Sequence, residues 1–289
     1  MSMFHFINSS LLIISHRPLN ASLAEETVYA TCAHMPAVIL FYLVLQFINM
    51  SLGIPANIIV LWLIHKNKGD SSTSDIFIVQ LAVLDTFFCL IPPLELANIV
   101  FLTTDSTWYV LRFIYGVKDS SPLFLSCICL DRYMAVLHPI TFTKLKDKRH
   151  RSVCAGVVWL VTLVYATAKC VGNIPNFEKA FTGMILAAFA FMVFCNISIL
   201  WALRQSAPGR DERHPVKKKA FKMVIIILAI IVLNYFPPVA LFPFQDYFSP
   251  DVFRCYIHYI AFGFMDVSSS IQPVLYLSRE QLPKVPVCC

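Results

Sequence analysis

The sequence has few charged residues. Asp, Glu, Lys and Arg together make up only 14% of its 289 residues, whereas hydrophobic residues make up 58%. One or two water-soluble cores could not bury that much apolar surface, so the composition indicates a membrane protein. The net charge of +6 does not indicate nucleic-acid binding, because most basic residues lie in short segments between apolar runs, where they orient a chain in the bilayer.

Several functional patterns are also missing. The ten cysteines form no closely spaced Cys/His cluster of the zinc type, so such a metal site is not supported. The short apolar patch Leu11–Ile14 has neither a basic segment before it nor a small-residue cleavage site, so no signal peptide is predicted. The absence of an internal repeat weighs against transporters built from duplicated halves. His65, His138 and His258 form no nucleophile–base pattern, so no enzymatic function is predicted.

Seven apolar segments are long enough to cross a bilayer, since each exceeds the ~20 residues required. They lie at residues 37–64, 76–102, 108–137, 153–174, 180–203, 220–245 and 252–277. The sequence therefore predicts an all-α membrane protein, a seven-transmembrane helix bundle. It divides into an N-terminal tail (1–35), a seven-transmembrane domain (36–277) and a short C-terminal tail (278–289).

The basic residues of the connecting segments predict the orientation. They fall on one side of the seven spans: Lys66, Lys68, Lys144, Lys146, Lys148, Arg149, Arg151, Arg204, Arg210, Arg213, Lys217, Lys218, Lys219 and Lys222. The positive-inside rule makes this side cytoplasmic, with the N-terminus outside and the C-terminus inside. Two glycosylation sequons, at Asn8 and Asn20, lie in the predicted external tail, although so short a motif also arises by chance.

The tripeptide Asp131-Arg132-Tyr133 places an acid, a base and a phenol at the end of the long third apolar run. At the end of a membrane helix, a guanidinium can hold its neighbouring carboxylate in one state and another partner in a second state. The residues therefore predict a conformational switch. The alternative is an interfacial ion pair that reaches toward water.

Together with further motifs, this tripeptide resembles the rhodopsin-like family of G-protein-coupled receptors over nearly the whole chain. The motifs are Gly53 and Asn57, Asp85, Asp131-Arg132-Tyr133 with Pro139-Ile140, Trp159, Pro237, and Pro273 with Tyr276. The resemblance implies a multi-pass plasma-membrane receptor that converts binding of an unidentified extracellular ligand into activation of a heterotrimeric G protein through a cytoplasmic helix rearrangement. The cysteines Cys32 and Cys255, together with Pro93 in the second span, are similar to the pattern of purinergic, chemokine and peptide receptors.

The resemblance also implies residue roles. G-protein coupling and switching fall to Asp131, Arg132, Tyr133, Pro139, Ile140 and Tyr276, and the helix kinks and toggle to Tyr235, Pro237, Gln272 and Pro273. The ligand pocket falls to Glu95, Tyr115, Lys118, Tyr235 and Asp266. Lys118 and Asp266 could instead pair with each other as an internal lock, and Asp119 has no predicted role.

The resemblance also places an internal sodium ion inside the bundle. Its site would comprise Asp85, Ser121, Ser268 or Ser269, and Asn57. The alternative is a protonated, hydrogen-bonded Asp85, because an unpaired carboxylate at membrane depth is costly. No other cofactor is expected.

Two covalent features are expected from the cysteines. A disulfide between Cys32 and Cys255 would join the start of the first span to that of the seventh, and the alternative is two unpaired thiols. Cys288 and Cys289 are palmitoylation candidates or an unmodified end.

Departures from the family pattern leave the signalling output open. Tyr235 stands at the toggle tryptophan, Gln272 before the seventh-span proline, and Asn196 at the fifth-span tyrosine. Lys217–Lys219 stand where an acidic partner of Arg132 belongs, which predicts elevated basal activity. The alternatives are a non-signalling or decoy receptor and, from another class, a small transporter or channel with a polar path.

Overall fold

The structure, a computed structural model, describes residue 32 and residues 35–66, 75–97, 105–144, 148–171, 177–205 and 215–280. Within these ranges every regular element is a helix. The helices are Pro36–Ile48, Asn49–Gly53 (π), Ile54–Lys66, Asp75–Cys89, Ile91–Ala97, Asp105–Asp119, Ser121–Leu137, Pro139–Lys144, Lys148–Val171, Phe177–Gln205, Pro215–Leu241, Phe242–Tyr247 (3-10), Pro250–Val252, Phe253–Ile257 (π) and His258–Glu280. Asn8, Asn20, Cys288 and Cys289 lie outside the described residues.

Seven helical stretches are long and apolar enough to cross a membrane. These spans, numbered first to seventh below, are Pro36–Lys66, Asp75–Leu94, Tyr109–Leu137, Arg149–Val171, Lys179–Gln205, Phe221–Phe244 and Pro250–Leu277. The predicted seven-helix fold is therefore confirmed. The bounds of six spans agree with the sequence prediction within four residues. The second span reaches Leu94 in the part of the chain that the structure describes, and its predicted end at residue 102 lies outside that part.

Large apolar side chains cover the outer surface of the bundle. Leu160, Val164, Trp201 and Leu233 are all more than 60% exposed. Because lipid tails rather than water surround such a surface, this exposure carries no hydrophobic penalty. The interior can therefore be comparatively rich in polar groups.

The third span is interrupted within its length. Helix Asp105–Asp119 ends before Ser120, and helix Ser121–Leu137 begins directly after it. Pro122, in the first turn of the second helix, has no backbone N–H and cannot continue the preceding hydrogen-bond pattern. The break places Lys118 and Asp119 at a helix end in the interior of the bundle.

Prolines also lie within the sixth and seventh spans, as the sequence predicts. Helix Pro215–Leu241 contains Pro237 and Pro238, and helix His258–Glu280 contains Pro273. Each proline deletes one backbone donor.

The first span approaches the second and seventh spans closely at Gly53. A Cβ atom at this position would lie only 2.7 Å from the Cys89 Sγ. Nearby, the Asn57 side-chain amide donates to the carbonyl oxygens of Gly53 (2.9 Å) and Ser269 (3.0 Å). Glycine thus permits the approach, and Asn57 joins the first span to the seventh.

The third, fifth, sixth and seventh spans share the largest apolar cluster. Its fully buried members include Ile185 and Met192 from the fifth span, Tyr235 from the sixth and Met265 from the seventh. Helix Phe177–Gln205 packs against both the third and the sixth span. These contacts fix the frame in which the polar residues of the interior meet.

Candidate functional site: buried charges and the cytoplasmic end

A charged group of residues lies in the interior of the bundle. Asp85 from the second span and Lys118 from the third are 1% and 3% exposed, and the Lys118 Nζ lies 3.4 Å from the Asp85 Oδ1. The same ammonium donates a hydrogen bond to the Ser269 Oγ of the seventh span. Three spans are therefore connected through one lysine side chain.

Asp266, on the seventh span, has different hydrogen-bond partners. The Gln46 Nε2 donates to the Asp266 Oδ2 over 2.6 Å, and the Tyr42 hydroxyl donates to the same oxygen over 3.4 Å. The ring of Tyr42 also packs edge-on against Tyr259, with centroids 5.0 Å apart. The internal lock between Lys118 and Asp266, which is the alternative to ligand contact, is not the pairing in this structure, because the ammonium lies at Asp85 instead.

The sodium expectation can be tested against this geometry. Ser121, Ser268 and Ser269 are all buried, like Asp85, and Ser269 does lie with Asp85 as predicted. However, the cation at the Asp85 carboxylate is the Lys118 ammonium. The residues do not fit a sodium ion at this place, since a second cation would be repelled by the first.

Asp119, which had no predicted role, forms a second ion pair. Its Oδ2 lies 2.5 Å from the Lys169 Nζ of the fourth span and accepts a hydrogen bond from the Tyr165 hydroxyl over 3.2 Å. Near this pair Gly116 allows the third span to approach Ala166, whose Cα would lie 2.7 Å from an added Cβ. The pair and the glycine together join the third and fourth spans.

At the basic end of the bundle, Asp131 is held by the fourth span. The Arg151 Nε and Nη2 lie 2.9 Å and 2.8 Å from the Asp131 Oδ1, and the two residues are 6% and 9% exposed. The guanidinium also lies over the Phe142 ring, 5.2 Å from its centroid. The sequence predicts for Arg151 only a contribution to the positive charge of the cytoplasmic side. Its position one turn into a helix, across from the end of the third span, is visible only in three dimensions.

The other residues assigned to coupling have separate surroundings. Tyr133 packs against Phe194 and His138, with ring centroids 5.9 Å and 5.7 Å apart. Pro139 begins the short helix Pro139–Lys144, and Ile140 on this helix is 78% exposed. Tyr276, from the seventh span, is half-buried.

The toggle and pocket residues lie deeper in the bundle. Tyr235 is 1% exposed, and Gln272 is half-buried. Tyr115 packs against the buried cluster of Phe88, Ile91 and Leu111. The side chain of Glu95 lies outside the part of the chain that the structure describes.

Asn196, at the family's fifth-span tyrosine position, is buried beside the third span. Its side-chain amide donates to the Met192 carbonyl oxygen over 2.8 Å and to the Cys129 Sγ over 3.5 Å. It therefore binds its own helix and its neighbour, which a tyrosine at this position would do differently.

The predicted disulfide is present. Cys32 and Cys255 are bonded, with Cα atoms 5.3 Å apart, and both residues are fully buried. They lie in an apolar cluster with Val38, Ile39 and Tyr259. The bond joins the residues before the first span to the beginning of the seventh.

Comparisons with known proteins agree with this architecture. The family described as 7 transmembrane receptor (rhodopsin family) matches residues 56–180. Proteinase-activated receptor 3 of Bos taurus is 24% identical over 266 residues, which cover 80% of this chain and 68% of that receptor. Somatostatin receptor type 2 of Mus musculus is 26% identical over 250 residues, covering 76% and 66%. The uracil nucleotide/cysteinyl leukotriene receptor of Rattus norvegicus is 27% identical over 225 residues, covering 68% and 63%.

These relatives are G-protein-coupled receptors, multi-pass proteins of the plasma membrane and not enzymes. The seven apolar helices of this chain are those of a multi-pass membrane protein. The chain belongs to the rhodopsin family of seven-transmembrane, G-protein-coupled receptors.

Proposed function

We propose that an extracellular ligand binds in the outer half of the bundle and shifts a two-state equilibrium, which opens the basic end around Arg132 to a heterotrimeric G protein. The basic end is then cytoplasmic, by the positive-inside rule. The exposed apolar side chain of Ile140, directly after the third span, is the observation that carries the coupling part of this proposal.

The structure supports a docking role for Ile140 in three ways. Ile140 is 78% exposed, and Val136, the last residue but one of helix Ser121–Leu137, is 41% exposed. Pro139 between them is also exposed. An apolar patch at the water-facing end of the bundle is a typical contact for a protein partner.

The proposed docking helix is also firmly connected to the switch. Phe142, on the same short helix as Ile140, lies under the Arg151 guanidinium, and Arg151 holds Asp131. A partner that displaces the short helix therefore acts on the carboxylate next to Arg132. This chain of contacts couples docking to the state of the third span.

For the ligand, we retain Tyr115, Tyr235 and Asp266 as the pocket residues. Asp266 supports this role because its described hydrogen bonds are to the neutral side chains of Gln46 and Tyr42. Lys118 is less suited to it, since its ammonium is occupied by Asp85 and Ser269. Glu95 stays a prediction.

The coupling proposal is tested without a ligand by basal nucleotide exchange. Purified receptor in nanodiscs is mixed with heterotrimeric G proteins, and exchange is compared with empty nanodiscs. We expect exchange above this blank, which Arg132→Ala removes. Truncation of Ile140 to Ala removes about 2 kcal/mol of apolar contact, so exchange should fall at least about tenfold at subsaturating G protein.

The matched control is Thr141→Ala, which changes the exposed neighbour of Ile140 and should leave exchange unchanged. If Ile140→Ala and Thr141→Ala behave alike, the docking role is wrong. If the wild-type receptor gives no exchange with any G-protein subtype, the non-signalling alternative replaces the proposal.

A further inference from the structure

The contacts of Lys118 raise a question that the receptor function does not answer. A lysine side chain at membrane depth is costly unless its charge is balanced. Here Lys118 is 3% exposed, and its ammonium lies 3.4 Å from the Asp85 carboxylate and 4.2 Å from the centroid of the Phe88 ring. A carboxylate, a hydroxyl and an aromatic face thus surround it.

Lys118 lies on the third span, whereas its partners lie on other spans. Asp85 and Phe88 lie on the second span, and Ser269 lies on the seventh. The helix end at Asp119 sits one residue beyond Lys118. One covalently attached cation therefore bridges three helices at a point where the third span is interrupted.

A dissociable cation would compete poorly for the same place. A metal ion bound at Asp85 would lie within about 4 Å of the ammonium, and at an effective dielectric constant of ~20 this repulsion weakens binding on the order of a thousandfold. The two cations are therefore mutually exclusive at physiological salt.

We propose that Lys118 is a built-in cation that takes the place of a sodium ion at Asp85, so that the conformation described here does not depend on sodium. The buried carboxylate keeps its counter-charge in every ionic medium. The equilibrium between receptor states then does not depend on sodium binding or release. The second, third and seventh spans stay connected through the Lys118 ammonium, which cannot exchange with ions in solution because it is covalently attached to the chain.

The proposal is tested by thermal unfolding of purified receptor in nanodiscs, which requires neither ligand nor G protein. If the receptor fails to activate a G protein, the proposal about Lys118 can still be tested. If the proposal about Lys118 is wrong, the coupling proposal is unaffected. Unfolding is followed in sodium chloride and in choline chloride at equal ionic strength, about 0.15 M. We expect wild-type Tm values that agree within about 1 °C, since a shift of that size is below what saturable binding produces.

Lys118→Ala removes the ammonium and opens space beside Asp85 and Ser269. This variant should gain a sodium-specific rise in Tm of about 3 °C or more. Asp85→Asn in the Lys118→Ala background is the matched control and should abolish that rise.

A sodium-specific rise in the wild-type Tm that Asp85→Asn abolishes overturns the proposal, and so does a Lys118→Ala protein that folds but ignores sodium. If Lys118→Ala does not fold, the proposal is tested by the Tm values of Lys118→Met, of Asp85→Asn and of the double variant. Each single variant should unfold at lower temperature, and the double variant should recover at least half of the larger loss. Losses that simply add in the double variant overturn the proposal, because they mean that the two charges do not depend on each other.

Discussion

Replacement of Arg151 by Gln is expected to destabilise the receptor through Asp131. Two nitrogen atoms of Arg151 lie 2.8 Å and 2.9 Å from one Asp131 oxygen, and both residues are less than a tenth exposed. The substitution keeps a polar side chain of similar reach but removes the charge. The Asp131 carboxylate is then left buried without the positive charge that Arg151 supplies.

The size of the effect follows from this burial. Removal of one partner of a buried ion pair typically costs about 3–5 kcal/mol. Because Asp131 and Arg151 lie near the ends of their spans, where water can approach, we expect the lower end of this range. A loss of about 3 kcal/mol corresponds to a Tm decrease of at least about 6 °C.

A double-mutant cycle separates the ion pair from other effects of the substitution. Asp131→Asn together with Arg151→Gln removes both charges, so the double variant should recover about 2 kcal/mol relative to the sum of the single losses. Unfolding in nanodiscs is the measurement, with one receptor preparation per variant. The control is Arg149→Gln, on an exposed residue two positions away, which should change stability by no more than about 0.5 kcal/mol.

Two results would refute this reasoning. A coupling energy below about 0.5 kcal/mol means that Asp131 and Arg151 do not stabilise each other. A loss in Arg149→Gln as large as that in Arg151→Gln means that positive charge at this membrane surface, rather than the ion pair, is what stabilises the protein.

Two further predictions concern packing between spans. Reduction of the Cys32–Cys255 bond should lower the free energy of unfolding of the wild-type protein by about 2 kcal/mol or more and therefore lower its Tm. The same treatment should leave the Tm of the variant with both cysteines replaced by Ser unchanged. Equal responses of the two proteins would contradict a stabilising disulfide. Gly116→Ala should destabilise the protein because the new Cβ would meet the Ala166 backbone at 2.7 Å, whereas Gly156→Ala, with open space around its Cβ, should cause no loss. Equal Tm values for the two glycine variants would show that the third and fourth spans do not need this close approach.

The sequence was sufficient for the number of spans and for the disulfide. The length and hydropathy of each apolar run are local properties, so the seven spans could be predicted with bounds close to those observed. Cys32 and Cys255 could be paired because each precedes a span, and the first and seventh spans are neighbours in the family fold. Pro237 and Pro273 could be placed within helices because each lies inside a predicted apolar segment.

The partners of the buried charges could not be predicted in this way. Lys118 pairs with Asp85 rather than Asp266, Asp119 pairs with Lys169, and Asp131 is held by Arg151. Each pairing depends on the rotation and depth of two helices relative to each other, and those of Lys118 and Asp119 lie directly beside the break at Ser120. The hydropathy of a segment carries almost no information about helix rotation or depth, because a helix turned by one residue about its axis keeps the same composition.

The sequence by itself thus determined that this chain crosses the membrane seven times as a rhodopsin-like receptor, because composition, segment length and motifs do not depend on how the helices pack. Only the tertiary structure decided which charge balances which. Attraction between two charges depends on a distance of a few ångströms, and the packing of whole helices sets that distance. The Lys118 ammonium at Asp85, where a sodium ion was expected, is the clearest result of that packing.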